Sequence, residues 1–181
     1  SVGANWANVN NAPYQMLHKT TSAQGGINTD FILTAPMLNP SLKGEISSNY
    51  IAAYDLAPTL YDLTGVDVDI PANRLKHYGI SHKTHLVDGQ QEPLRNTFAV
   101  ELHNQSAYIE GEWKIRRLSS TYPNATLGEW LLFNIKQDPL ETRDLAKEHP
   151  EKLTDLINQY EAYRKDTFIK EAEGKYIPYG G

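Results

Sequence analysis

The chain has 181 residues, of which 40% are hydrophobic and 22% are charged. This composition predicts a folded region of about one domain, or a small domain with part of another, and excludes a disordered chain. The net charge of −5 disfavours a nucleic-acid-binding surface, which is normally basic. The chain contains no cysteine, which excludes disulfides and thiolate chemistry within it, and it has no apolar run of the ~20 residues that span a membrane.

The first half of the chain contains two short predicted elements between irregular segments. The apolar run Phe31–Leu33, followed by Pro36, predicts a short buried strand. A later apolar stripe predicts a helix over residues 56–64, with Asp55 as its N-cap and Gly65 just after its last residue.

Residues 66–96 contain prolines, glycines and three histidines, and they are predicted to form a long surface loop or domain connection. The histidines are His77, His82 and His85. A metal site is disfavoured because this segment brings no supporting carboxylates at a ligand-like spacing.

The second half of the chain changes to an apolar period of two, which is typical of strands. Four strands are predicted, at residues 97–101, 106–110, 112–118 and 130–135. Gly111 marks a hairpin turn, and Pro150 begins an amphipathic helix. These elements predict a small α+β subdomain, in which a four-stranded antiparallel sheet is covered by one C-terminal helix.

Lys19 is the most suggestive charged residue, because a double glycine, Gly25–Gly26, follows it closely in a loop. Adjacent glycines let the backbone approach a ligand. A lysine ammonium with three donors is suited to holding an oxyanion. The local pattern also allows an ordinary surface lysine before a turn.

Four motifs in a fixed order carry a resemblance to a known family. The first consists of Trp6–Ala7, Ala12–Pro13, Lys19 and Gln24–Ile27, and the second of Tyr54–Leu60 with Leu63–Gly65. The third is Ile109–Lys114, and the fourth is Phe133–Ile135 with Asp138–Ala146. In this order and spacing they resemble the C-terminal portion of an arylsulfatase of the alkaline-phosphatase-like superfamily. Each motif alone is weak, but together they extend across nearly the whole chain.

The resemblance implies an α/β sulfatase-type fold of which this chain is the C-terminal part. Residues 1–95 would complete the large α/β domain, and residues 96–181 would form the small α+β subdomain. Members of this family use a formylglycine nucleophile and a divalent cation, usually Ca²⁺, held by Asp and Asn oxygens. Neither the motif of the formylglycine nucleophile nor the Asp–Asn pair that binds the cation occurs in this chain, so both are expected upstream of it. No cofactor is expected for the segment alone.

The implied activity is that of a sulfuric ester hydrolase, of the aryl sulfate type, with the isolated segment inactive. Two alternatives stay open: a phosphonate or phosphate monoester hydrolase of the same superfamily, and a non-catalytic packing or binding module. The expected partners are a sulfate ester and the N-terminal sulfatase domain of the same protein, without nucleic acid or membrane. A periplasmic or secreted location is favoured by the resemblance.

Lys19 is the one residue that matches a catalytic position of the family, where it would bind a sulfate oxygen and stabilise developing charge. His18, Glu101 and His103 are weaker candidates for contact with the substrate. Gln24 stands where the family usually has Glu, so the loop is expected to hold Lys19 by different contacts.

Overall fold

The structure, a computed structural model, describes most of the chain. The described residues are 6, 9, 12–14, 22–47, 49–68, 78–90, 95–102, 105–117 and 128–167. The chain divides into two compact units, one formed by Ser1–Asp30 with Thr97–Gly181 and the other by Phe31–Asn96. The division predicted between residues 95 and 96 on the basis of family resemblance stays a prediction.

The first unit contains a four-stranded antiparallel sheet whose spatial order follows the chain. Its strands are β1 (Thr97–Leu102), β2 (Gln105–Glu110), β3 (Trp113–Arg117) and β4 (Leu131–Asn134). The four strands predicted from the period of two are therefore confirmed, and each predicted end lies within one residue of the observed end.

The β2–β3 hairpin closes through a two-residue loop, because Glu110 pairs with Trp113. Gly111, the first loop residue, has φ = 57°. A positive φ at this position is the requirement of the II′ hairpin turn, and glycine meets it without steric strain. The turn predicted at Gly111 is confirmed.

Helix α4 (Pro150–Thr167) covers one face of this sheet. On that face Tyr108, Ile115 and Leu132 are aligned across three neighbouring strands. They form a buried cluster with Leu156 and Tyr160 of the helix. The predicted sheet with a covering C-terminal helix is therefore confirmed, and burial of these side chains is its main source of stability.

The opposite face of the sheet is also buried, although it carries charged residues. Ile109, Lys114 and Phe133 are aligned on this face, and each is at most 2% exposed. Arg116 lies on the same face, with its guanidinium 4.8 Å from the centre of the Phe133 ring.

The second unit is built around helix α2 (Leu56–Thr64), which ends at Gly65 with φ = 70°. Both ends of this helix agree with the sequence prediction. The short helix α3 (Lys83–Asp88) follows later in the unit. Single 3₁₀ turns at Pro40–Leu42 and Ala53–Asp55 complete its regular structure among the described residues.

Two sequence predictions in this unit are wrong. Phe31–Leu33 is irregular rather than a strand, and Ile32 is 92% exposed. This run pairs with no strand in the described part of the chain, so its backbone lacks the ladder that defines a strand. The prediction of a long surface loop or domain connection over 66–96 is wrong at α3, which lies within this range and buries His85.

None of the helices in the described part of the chain has the length and apolar character that crossing a bilayer requires.

Candidate functional site

The three sequence candidates Lys19, His18 and His103 lie outside the described residues. The structure does describe the segment that begins three residues after Lys19. It contains Ser22 and Ala23 and then the single-turn helix α1 (Gln24–Ile27), which holds the double glycine.

The segment after Lys19 is fastened to the sheet unit by two hydrogen bonds. Ser22 Oγ donates to Gln105 Oε1 at 3.2 Å, and the backbone N–H of Gln24 donates to Glu141 Oε2 at 2.7 Å. All four residues are buried. The start of α1 therefore has a fixed position relative to β2 and to the turn that carries Glu141.

Glu141 also forms a buried ion pair with the charged face of β3. Its Oε1 lies 2.7 Å from Lys114 Nζ and 4.0 Å from Arg116 Nε. The Lys114 side chain is fully buried and that of Glu141 is 3% exposed. We call Gln24, Lys114, Arg116 and Glu141 the Glu141 cluster.

Burial disfavours the charged forms of Lys114 and Arg116, the two cations of the Glu141 cluster. Desolvation lowers the pKa of Lys114 to about 8, and the Glu141 carboxylate opposes this only in part. Desolvation likewise lowers the pKa of Arg116, with Glu141 opposing it. Such a buried pair contributes little net stability, because the cost of desolvation offsets the attraction, but losing one partner is strongly destabilising.

The backbone of Glu141 is itself unusual, with φ = 54° in a region that favours glycine. Asp138 shapes the turn that presents it, accepting hydrogen bonds from Thr142 N at 2.7 Å and Arg143 N at 2.9 Å. Desolvation tends to raise the pKa of Asp138, but these N–H donors outweigh it and lower the pKa.

Sequence reasoning missed the ion pair between Glu141 and Lys114. The two residues are far apart in the chain, and alternating charged residues on a strand normally indicate a solvent-facing side. The available signal was weak: Ile109 and Phe133, which flank Lys114 across the sheet, are apolar and indicate burial of the same face.

Glu101, the fourth candidate, faces the helix-covered side of the sheet. It accepts hydrogen bonds from Tyr160 Oη and, at 3.1 Å, from Ser106 Oγ, and Arg164 Nε lies 3.7 Å from it. Burial and this carboxylate raise the pKa of Tyr160 well above its ordinary value. These contacts favour a role in holding α4 on the sheet, and the predicted contact with substrate stays a prediction.

In the second unit, Asp55 of the family-like motif is fully buried and lies at the centre of a polar network. Its carboxylate accepts hydrogen bonds from Ala52 N and Ile80 N, both at 2.9 Å, and binds the Arg95 guanidinium through two nitrogens. Desolvation tends to raise the pKa of Asp55, but the bonds from Arg95 and the two N–H groups lower it. This residue ties three segments of the unit together.

The described residues contain no group of three or more His, Cys, Asp or Glu side chains placed to hold a metal ion. His82 Nε2 lies 3.3 Å from Asp55 Oδ2, and His85 Nδ1 lies 2.5 Å from Gln90 O. The calcium ion expected for the whole enzyme, with its ligands upstream of this chain, stays a prediction.

Comparison of the chain with known proteins indicates the class of protein to which this fold belongs. No protein-family model matches the chain. A structure solved in connection with glycosaminoglycan metabolism by Bacteroides thetaiotaomicron, that of a protein designated 6S-sulf, aligns with a TM-score of 0.50 and 21% identity. The alignment covers 61% of this chain and 24% of that one. At this identity the match supports the fold, a sulfatase-type α+β subdomain.

Sequence comparisons are more specific. The chain is 55% identical over 67 residues to an arylsulfatase of Klebsiella aerogenes, a match covering 37% of this chain and 14% of the relative. It is 28% identical to an uncharacterized sulfatase of Schizosaccharomyces pombe, over 97% of this chain and 31% of that protein. The resemblance to sulfatases predicted from the sequence is confirmed. The region of each curated relative that aligns with this chain is less than a third of that relative's length.

Proposed function

We propose that this chain is the C-terminal part of a sulfatase that hydrolyses sulfate monoesters of the aryl sulfate type. The observation that carries the proposal is the 67-residue stretch at 55% identity to an arylsulfatase. Further support comes from the match to a second sulfatase over 97% of the chain.

In this proposal Lys19 binds a sulfate oxygen and stabilises the charge that develops on the transferred group. An ammonium that is already in place in a water-poor site costs no reorganisation at the moment of reaction. A formylglycine nucleophile and a divalent cation, usually Ca²⁺, would come from the preceding part of the protein and supply the attack and further charge stabilisation. The proposed enzyme is periplasmic or secreted, as the resemblance favours.

The proposed partner within the same protein is the N-terminal sulfatase domain. The second unit exposes several large apolar side chains, among them Phe31, Ile32 and Ile46, the last of which is 98% exposed. Exposed apolar surface of this kind is typical of a surface that another domain covers. Since the matched relatives are more than three times as long as their aligned segments, such a domain is expected.

The activity is tested by assaying the full-length protein and the 181-residue chain side by side with a chromogenic aryl sulfate. We expect turnover by the full-length protein and none by the isolated chain, because the proposed nucleophile lies outside it. Absence of turnover by the full-length protein with its maturation system and calcium present would contradict the proposal, and so would turnover by the isolated chain.

The same assay with the matching aryl phosphate and phosphonate esters separates the proposed reaction from its superfamily alternative. We expect kcat/KM to be higher for the sulfate ester. A preference for the phosphorus esters would assign the protein to the alternative activity, and inactivity toward all three would favour a non-catalytic module.

A further inference from the structure

We propose that Glu141 is a positioning residue for Lys19, with its carboxylate holding the segment that follows Lys19 on the small sheet and Lys114 balancing its charge. The inference deepens the proposed function and rests on it. It assigns the small subdomain a part in the sulfate site, through a contact that the sequence motifs do not reveal.

The first observation is the bond from Gln24 N to Glu141 Oε2, which at 2.7 Å is short for an N–H donor. Gln24 begins the turn that contains the double glycine, five residues after Lys19. A bond to a charged acceptor is about twice as strong as a neutral one. Because both residues are buried, water cannot readily replace the carboxylate as acceptor.

The second observation is the backbone conformation of Glu141. A non-glycine residue at φ = 54° carries steric strain that glycine in the same place would avoid. Strained residues persist where the surroundings fix them, and they concentrate at functional sites. The strained backbone here presents a side chain that contacts both α1 and β3.

The third observation is the balance of charge around the Glu141 carboxylate. An isolated buried carboxylate would take up a proton, which removes its value as a charged acceptor. Lys114 Nζ at 2.7 Å and Arg116 Nε at 4.0 Å supply the opposing charge from the neighbouring strand. The carboxylate and Lys114 therefore belong together, because removing either one alone leaves the charge of the other buried without its partner.

The test compares two double variants of the full-length protein, E141Q/K114M and E141L/K114M. Both remove the ion pair and leave Arg116 in place, so they change the charge equally. They differ in one respect, because the glutamine amide oxygen can still accept the N–H of Gln24 and the leucine cannot. Circular dichroism and thermal unfolding establish that both variants are folded before kinetics are measured.

We expect kcat/KM for an aryl sulfate to stay within about threefold of wild type in E141Q/K114M. We expect it to fall at least about tenfold in E141L/K114M, since a displacement of about 1 Å at a catalytic group can cost 100-fold. Affinity for inorganic sulfate, measured as competitive inhibition, should fall in parallel. Equal activities in two folded double variants would overturn the inference.

A double-mutant cycle with Lys19→Ala distinguishes a positioning role from a merely structural one, because only a positioning role makes the effects of the two changes on kcat/KM non-additive. If Glu141 acts through Lys19, adding E141L/K114M to K19A should lower kcat/KM by less than about threefold further. A full tenfold further loss would show that Glu141 acts independently of Lys19, and it would also overturn the inference.

A single variant, Glu141→Asp, covers the case in which E141L/K114M does not fold. It keeps the negative charge beside Lys114 but shortens the side chain by one methylene, which withdraws the oxygen from Gln24 N. We expect loss of kcat/KM with the thermal unfolding midpoint kept near that of wild type, and wild-type kinetics would overturn the inference.

These outcomes are distinct from failure of the proposed function. A wild-type protein without sulfatase activity, or one insensitive to Lys19→Ala, would refute the proposed function itself. An active protein that depends on Lys19 but not on the residue at 141 would refute only the positioning role.

Discussion

Buried carboxylates at positions 55 and 141 show how single charged residues hold this chain together. Both accept a backbone N–H and both are paired with a basic side chain. They differ in what they connect. Asp55 joins segments of the second unit, whereas Glu141 joins the turn after Lys19 to the sheet, which is the basis of its proposed positioning role.

The Asp55 network leads to a prediction with a defined pH dependence. Asp55→Asn removes the charge that faces Arg95, and breaking a buried pair costs about 3–5 kcal/mol. Because the folded-state pKa of Asp55 is lowered, its contribution is present above the ordinary value of about 3.9 and is lost as pH falls through the folded pKa.

This is checked by urea unfolding of the full-length wild-type protein and the Asp55→Asn variant at several pH values. The difference in unfolding free energy should be constant between about pH 5 and 7 and should shrink below about pH 4. Asp62→Asn, which changes an acidic residue exposed on α2, serves as the control. A difference that does not vary with pH would contradict the assignment.

The helices and strands were predictable from the sequence where a local signal and a long-range contact agree. Strand β2 has the alternating pattern of a strand, and it pairs with both β1 and β3, so its local signal and its long-range contacts agree. Helix α2 carries its own stop signal in Gly65. Phe31–Leu33 has only a short apolar run, which cannot by itself distinguish a strand from an exposed irregular segment.

Helix α3 was missed for a related reason. It has six residues, and His82 at its N-cap makes no side-chain capping bond, so the usual start signal is absent. It is held instead by a tertiary contact, in which the N–H of His82 donates to Thr59 Oγ1 at 3.0 Å. Thr59 and His82 are distant in sequence, so a contact between them produces no periodic pattern that sequence analysis could detect.

The end of α2 provides a prediction at the scale of the element. Gly65→Ala should destabilise the protein by about 1–2 kcal/mol, because a Cβ disfavours the left-handed conformation. No heavy atom lies within 4 Å of the position that this Cβ would occupy, so the cost is one of backbone conformation alone.

Asparagine tolerates the left-handed region better than alanine does, which makes Gly65→Asn the matched control. In urea unfolding of the full-length protein, the alanine variant should be less stable than the asparagine variant. The reverse order would contradict the conformation assigned to Gly65.

For the whole molecule, the sequence supported the family and the sheet subdomain but not the contact between Gln24, which follows Lys19 in the chain, and that subdomain. The four motifs lie in different parts of the chain, and two of them meet where Gln24 contacts Glu141. Motif matching reports which residues recur together, whereas the contact between them follows from the folded backbone. This contact is the reason for proposing that the small subdomain contributes to the sulfate site.

The most direct measurement of the central claim is kcat/KM of the full-length protein and its Lys19→Ala variant for an aryl sulfate. Loss of one preorganised donor to the transferred group should lower the rate by about 100- to 1,000-fold. Lys43→Ala, which changes an exposed lysine, is the control and should leave the rate unchanged. If Lys19→Ala retained activity within threefold of wild type, Lys19 would be an ordinary surface lysine and the proposed sulfate contact would be wrong.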